Sequence, residues 1–326
     1  MRTLYLSLAA LVSGFTALAQ QTPDVVANAG DDISNGTVTL SHTLGEIAVT
    51  DVSNGSVTLQ QGFHNVAQRA GIAIEPVIIL AGAYDDAIGQ MRDDLRAQNL
   101  IPFTSPYADA LTVPASAQMM FMEPGMDAVV DWVYVELRDS MMNGLVVEAT
   151  SAVVLVDGRV VDAVTKQPLR FSLMSGTYFV SINHRNHLGA ITDNAEFLAN
   201  GTDLDFTDGT IAIEDRANGQ AGQTVLTSGD FALFAGDANG DGQVAAIGAA
   251  SDIDAIQQDV LNAPANFFNQ IGFQITMTYS DSDTNLSGIV SAIGAGNDTA
   301  VVRNTILDAP ENFFNQLGVT ITQPFN

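Results

Sequence analysis

The chain contains no cysteine among its 326 residues. That excludes disulfides, thiolate nucleophiles, cysteine-ligated zinc and iron–sulfur clusters together. An extracellular chain without disulfides must draw its stability from a large core or from bound metal. Positive charge is nearly as scarce. Eleven Lys and Arg stand against 37 Asp and Glu, a formal charge of −26, and Lys166 is the only lysine. A surface this acidic repels phosphate backbones and anionic lipid heads, which excludes nucleic-acid binding. No phosphate-binding loop of the G-x-x-x-x-G-K type occurs, and no serine sits in a G-x-S-x-G setting. Past the N-terminus no segment reaches about 18 uninterrupted apolar residues, so no transmembrane helix is expected. The acidity itself has two readings: a solvated face, or carboxylates waiting for divalent cations.

Hydrophobic residues make up 47% of the chain, enough for a sizeable core spread over two or three domains. At the N-terminus Arg2 precedes an apolar stretch from Leu4 to Leu18, and Ala17-Leu18-Ala19 has the small-x-small form of a cleavage site. Residues 1–19 are therefore expected to be a signal peptide and the protein to be secreted. Residues 20–70 read as a β-rich segment. Val25–Ala27, Gly36–Leu40, Glu46–Val49 and Ser56–Leu59 are strand-like, and Asn35-Gly36 and Asn54-Gly55 are hairpin signals. The stretch SHTLGEIAVTDVSNGSVTLQQGFHNV resembles a segment common in secreted Bacteroidota proteins, of the form W-T-x-G-E…L-T-Q-G-F-H. That resemblance implies a secreted protein.

Residues 72–235 form a middle region. Val77–Leu80 is a short buried-strand run, and Ile88, Met91 and Leu95 predict a short amphipathic helix between Ala87 and Arg96. Pro102, Pro106 and Pro114 then break regular structure. Strand-like runs follow at Ala128–Leu137, Ser151–Val156, Arg159–Val164, Phe171–Leu173 and Tyr178–Ile182, separated by Asp157-Gly158 and Ser175-Gly176. Short strands at this spacing predict an antiparallel β-sandwich. The segments GAYDDAIGQMRDDLRAQNLIPFTSPY, DWVYVELRD, SAVVLVDGRVVD and YFVSINHRNHLGAIT resemble the middle module of Bacteroidota surface proteins of the hemagglutinin-like group. The resemblance implies a location and a class, and no defined ligand.

Residues 236–326 carry an internal repeat, with copies at 236–276 and 282–322. AIGAASD at 246–252 recurs as AIGAGND at 292–298, and APANFFNQIGFQIT at 263–276 as APENFFNQLGVTIT at 309–322, an offset of 46 in both cases. A fixed period of this kind means two copies of one supersecondary unit. Each copy opens with oxygen-bearing residues at alternate positions. The first has Asp237, Asn239, Asp241, Gly242, Gln243 and Val244; the second has Asp283, Asn285, Ser287, Gly288, Ile289 and Val290. Calcium takes six to eight hard oxygen ligands, and side chains at positions 1, 3 and 5 of a loop wrap it. Glycine at position 6 permits the turn, the carbonyl of residue 7 (Gln243 or Ile289) adds an oxygen, and an apolar residue at 8 anchors the loop. An EF-hand closes with a carboxylate at position 12, which here would be Gly248 or Gly294. The first shared carboxylates downstream are Asp252 and Asp298, each followed by helical spacing: Ile256, Val260, Leu261 and Val302, Ile306, Leu307. The pattern resembles a dockerin variant, D-x-N-x-D-G-x-(V/I)-x-x-x-G-x-x-N-D, found in the same Bacteroidota group. Ser287 costs the second copy a charge, so weaker binding is expected there.

Other constellations carry less. His184 and His187 can in principle ligate zinc with a third ligand such as His64, but i and i+3 on a strand face opposite ways, so a conformational role at a strand end is expected. The pairs Asp85/Asp86 and Asp93/Asp94 read as solvated faces rather than glycosidase carboxylates. Met119, Met120, Phe121 and Met122 read as packing, and Trp132 as a core anchor. Phe267-Phe268 and Phe313-Phe314 are expected to form the seam of the repeat, one ring of each pair buried near Leu261 or Leu307. The rival reading makes them an exposed partner-binding patch.

These observations predict a mainly β protein with a β-sandwich middle domain and a small C-terminal α-containing calcium-loop repeat unit. The expected function is that of a secreted, non-enzymatic, calcium-binding surface or matrix protein with a protein or glycan partner. The alternatives are a dockerin-like protein that recruits a cohesin-type partner, and an unrecognised glycan hydrolase.

Overall fold

The computed structural model describes residues 29–34, 39–44, 52–53, 58–59, 71–141, 144–217 and 219–325. The expected signal peptide and the strand-like runs at 25–27 and 46–49 lie outside them, as do both Asn-Gly turns. The chain forms two compact units, Met1–Gln68 and Arg69–Asn326. Within the first, Ala29–Ser34 pairs antiparallel with Thr39–Leu44, and Val52–Ser53 with Thr58–Leu59. Of the strand-like runs expected here, only residues 39–40 and 58–59 fall within these strands.

The second unit is mainly β. Its largest sheet runs in the order Val160–Val161, Val146–Leu155, Val129–Asp139, Gly176–His184 and His187–Ile191, and Glu196–Leu198 also pairs with Gly176–His184. A three-stranded sheet places Gly71–Val77 between Leu169–Met174 and Asn200–Asp205, the last pairing in parallel. One hydrophobic core takes residues from both sheets, among them Ile72, Ile74, Leu169, Leu204, Val133, Val135, Val153 and Val180. Trp132, fully buried, donates its indole N–H to the Pro102 carbonyl at 2.8 Å. This satisfies the one polar atom that its burial would otherwise strand. Among the described residues no helix is long and apolar enough to cross a membrane.

The amphipathic helix expected between Ala87 and Arg96 does not form at that length. Tyr84–Asp85 and Gln90–Met91 make a tight hairpin instead, and the helix is confined to Asp94–Ala97. Gly89 sits at the turn with φ 67°, a backbone state that favours glycine and ends helical continuation. Ile88 is exposed at the hairpin tip, whereas Met91 and Leu95 are buried. The apolar spacing was a coincidence of two elements.

After residue 236 the chain builds two loop–helix units. The first repeat helix is Asp252–Asn262 and the second is Asp298–Leu307. Ser251 and Asn297 cap them, accepting the amides of Asp254 and Ala300. The strands exchange between copies. Gln243–Ala245 of the first loop pairs with Thr320–Thr322 at the end of the second copy, and Ile289–Ser291 of the second loop pairs with Gln274–Thr276 of the first. A second hydrophobic core, including Val244, Ile256, Val260, Val290, Val302, Ile306 and Ile321, lies between the copies. The exchange closes one core shared by both copies.

Candidate metal centre

The two loops reproduce one hydrogen-bond pattern. In the first, Asp237 accepts the amides of Asp241 (3.0 Å) and Gly242 (2.9 Å), one on each carboxylate oxygen. In the second, Asp283 accepts the amides of Ser287 (2.9 Å) and Gly288 (2.7 Å). Gly242 and Gly288 have φ of 77° and 78°, the left-handed turn for which position 6 demands glycine. Asp252 reaches back from its helix start to the amides of Ala238 and Ala245, both at 2.7 Å. Asp298 does the same to Thr284 at 2.9 Å and Ser291 at 2.8 Å. Asp237 and Asp252, and likewise Asp283 and Asp298, are thus each held by backbone amides of their own loop. Asn239 and Asn285 donate their side-chain amides to the carbonyls of Ala250 and Gly296, each at 2.8 Å. Their Oδ1 atoms accept the amides of Asp241 and Ser287. Asp241 stays exposed, with Oδ1 on the amide of Gln243 at 2.9 Å.

The electrostatics of the four inner carboxylates are unfavourable as they stand. Burial, joined by repulsion from Asp252 and Asp241, pushes Asp237 up to about 7. Burial pushes Asp252 up to about 6, Asp283 to about 6 and Asp298 to about 7, against the opposing pull of the loop amides. Among the described residues neither Asp237 nor Asp252 takes part in an ion pair. Buried carboxylates crowded together without a cationic partner are the chemistry that a divalent cation relieves. The donors are all oxygen, which suits calcium rather than a softer metal. Among the described residues no three Asp, Glu or His side chains converge on one point. Each candidate set is therefore a buried carboxylate pair, Asp237/Asp252 or Asp283/Asp298, with exposed Asp241 outside the first pair; the remaining oxygens are those of Asn239 or Asn285, Ser287 in the second loop, and the carbonyl of Gln243 or Ile289.

The repeat seam departs from expectation. Phe267, Phe268 and Phe313 are each 84% exposed and Phe314 is 83% exposed, so no ring packs beside Leu261 or Leu307. The cause is the asparagine just before each pair. Buried Asn266 donates to the carbonyls of Val260 (2.8 Å) and Gln270 (2.9 Å) and accepts the amide of Gln270 (2.9 Å). Asn312 makes the matching bonds to Ile306, Gln316 and the Gln316 amide. These bonds close a tight loop that turns its tip outward, and Ile271, Phe273, Leu317 and Val319 pack against the shared core instead.

The two histidines of the sequence-predicted pair engage each other and the protein around them, while His64 lies outside the described residues. The chain turns sharply between Gly176–His184 and His187–Ile191, so the two rings meet edge to face at 4.7 Å. Every ring nitrogen has a protein partner. The Gly82 amide donates to His187 Nε2 (3.0 Å), which leaves the proton on His187 Nδ1, 2.8 Å from the Asn186 side-chain oxygen and 3.0 Å from His184 Nδ1. His184 Nε2 then donates to Asp131 (3.2 Å). Burial lowers the pKa of both histidines. Asp131 also accepts from Arg185 (3.0 Å) and from the Tyr279 hydroxyl (2.7 Å). Burial alone would raise the pKa of Asp131; the Arg185 guanidinium, His184 and Tyr279 outweigh it and hold the carboxyl well below its usual range. This buried network lies beneath the second loop. Sequence reading singled out His184 and His187 but gave no sign of Asp131 or Tyr279, whose pairing depends on tertiary contact alone.

Comparison with protein-family models, with curated proteins and with solved structures finds no match for this chain.

Proposed function

We propose that this chain is a secreted, non-enzymatic surface or matrix protein, adhesive or structural in role. In this reading a hemagglutinin-like β-sandwich, residues 72–235, carries a calcium-stiffened dockerin-like repeat, residues 236–326. The observation that carries it is the duplication of one loop geometry at a spacing of 46 residues, down to the individual amide bonds of Asp237/Asp283 and Asp252/Asp298. Calcium would be held by Asp237, Asn239, Asp241, the Gln243 carbonyl and Asp252 in the first loop. In the second loop the holders are Asp283, Asn285, Ser287, the Ile289 carbonyl and Asp298. The ion would neutralise the crowded carboxylates and brace loops that no disulfide braces.

Titration calorimetry and thermal unfolding of the purified chain test this. Calcium at 100 times its dissociation constant is expected to add about 2.7 kcal/mol per site. Magnesium substitutes poorly, because it demands a smaller octahedral site. An unfolding temperature indifferent to both calcium and chelator rejects the reading.

A second reading, a docking protein with a cohesin-type partner, is favoured by the four exposed phenylalanines. Rings held outward on braced loops are the form that interface anchors take. Substitution of Phe267 and Phe313 by alanine then abolishes capture of the partner and leaves stability intact.

A further inference from the structure

We infer that the β-rich part of the chain grips the second loop and keeps it folded whether or not calcium is bound, so that only the first loop is ordered by the ion. The inference rests on the calcium reading above. Its ground is that two loops of nearly identical internal bonding have opposite surroundings.

The backbone carbonyls of the second loop, and of the two residues Ser280 and Asp281 leading into it, are taken one after another by side chains from elsewhere. Arg185 donates to Ser280. Asn186 donates to Asp281 (3.0 Å) and Asp283 (2.8 Å), Arg92 to Asn285 (2.8 Å) and Gln98 to Ser287 (2.7 Å). Gly82 lies so close to the loop that a Cβ there would run into the carbonyl oxygen of Thr284. Leu286 is 2% exposed and belongs to the core of the β sheets. The first loop lacks this embrace at its tip: Asn239, Gly240 and Asp241 are exposed. It is held at its start, where the Asn186 carbonyl accepts the amides of Gly236 and Asp237, and behind its turn, where the Gln323 amide donates to the Gly242 carbonyl at 3.0 Å.

Three of the sequence differences between the copies fall at this contact. Shifted by 46, Ala238 becomes Thr284, Gly240 becomes Leu286 and Asp241 becomes Ser287. Leu286 holds φ 56°, close to the 71° of Gly240, so a leucine accepts a glycine's conformation. Its buried side chain gives the compensation. Ser287 is half-buried where Asp241 is exposed, and a neutral residue avoids burying a third carboxylate. The lost charge of the second loop is the mark of the grip.

Hydrogen–deuterium exchange on the purified chain, read by mass spectrometry, tests this. Chelator is expected to speed exchange in peptides over 237–245 and to leave those over 283–291 protected. Substituting R92A/Q98A is expected to speed exchange over 283–291 in chelator, about fivefold for each loop bond lost, without affecting 237–245. Q98A alone, which removes one half-buried surface amide, gives the same direction if the double variant fails to fold. Equal opening of both loops on chelation in the parent chain overturns the inference, as does unchanged exchange over 283–291 in both variants. If neither loop responds to calcium or chelator, the calcium reading fails and the claim for the first loop falls with it. The variants then still decide the grip.

Discussion

Asp237, Asp252, Asp283 and Asp298 titrate above the ordinary carboxylate range when the chain is folded and metal-free. Between about pH 4 and pH 7 the folded chain then holds protons that the unfolded chain has released. The contribution is fully present below the unfolded pKa and is lost as pH rises through the folded values of about 6 to 7. In chelator, thermal unfolding should therefore move to higher temperature as pH falls from about 8 to about 5. With saturating calcium the trend should reverse, since protons then compete with the ion. Melting curves at matched ionic strength check both signs, and equal slopes with and without calcium contradict the assignment. At Asn266 and Asn312 the stakes are different. Asn266→Ala removes a buried amide from Val260 and Gln270 and should cost about 1–3 kcal/mol. Phe267→Ala, one residue away but exposed, should stay within about 0.5 kcal/mol. Urea unfolding of the two variants side by side tests this order, which a packed-ring seam would invert.

At the scale of elements, the copies share a fold but differ in ligand charge. The first loop offers Asp237, Asp241 and Asp252; the second offers Asp283 and Asp298, with Arg185 close enough to oppose a cation. Asp237→Ala should therefore remove the tighter of two calcium events and Asp283→Ala the weaker, as isothermal titration will resolve. Much of this was legible in the chain itself. The strands at Val129–Asp139, Val146–Leu155 and Gly176–His184 follow from β-branched runs, and both repeat helices from apolar spacing after Asp252 and Asp298. The segment from Ala87 to Arg96 was not, because a three-residue apolar period fits a hairpin beside a short helix as well as one long helix. The phenylalanine pairs misled for a related reason. Hydrophobicity argues for burial, but the direction of a loop tip is decided by a polar residue, Asn266 or Asn312, which ties the preceding helix to the far side of the loop at Gln270 or Gln316. His184 and His187 meet because a turn, not a strand, separates them.

For the whole molecule, one cluster joins the sheets to the repeat. Asp131 sits fully buried on the central strand Val129–Asp139, and its charge is answered by Arg185, which stacks on Tyr279 at 4.3 Å and reaches the second loop. Arg185→Met leaves a buried carboxylate without its main partner and should cost about 3–5 kcal/mol, measured by urea unfolding of the full chain. A loss below about 1 kcal/mol would mean that His184 and Tyr279 suffice. The same cluster bears on how this architecture can be recombined. A graft that moved residues 236–325 onto a foreign scaffold would carry a leucine stranded on a left-handed backbone, and five carbonyls severed from their donors. One twin of the duplicated pair has become mortar, and it cannot travel without the wall it was set in. Shuffling this repeat among proteins requires carrying everything from Arg69 onward, or else reverting Leu286 and its neighbours to the first twin's residues.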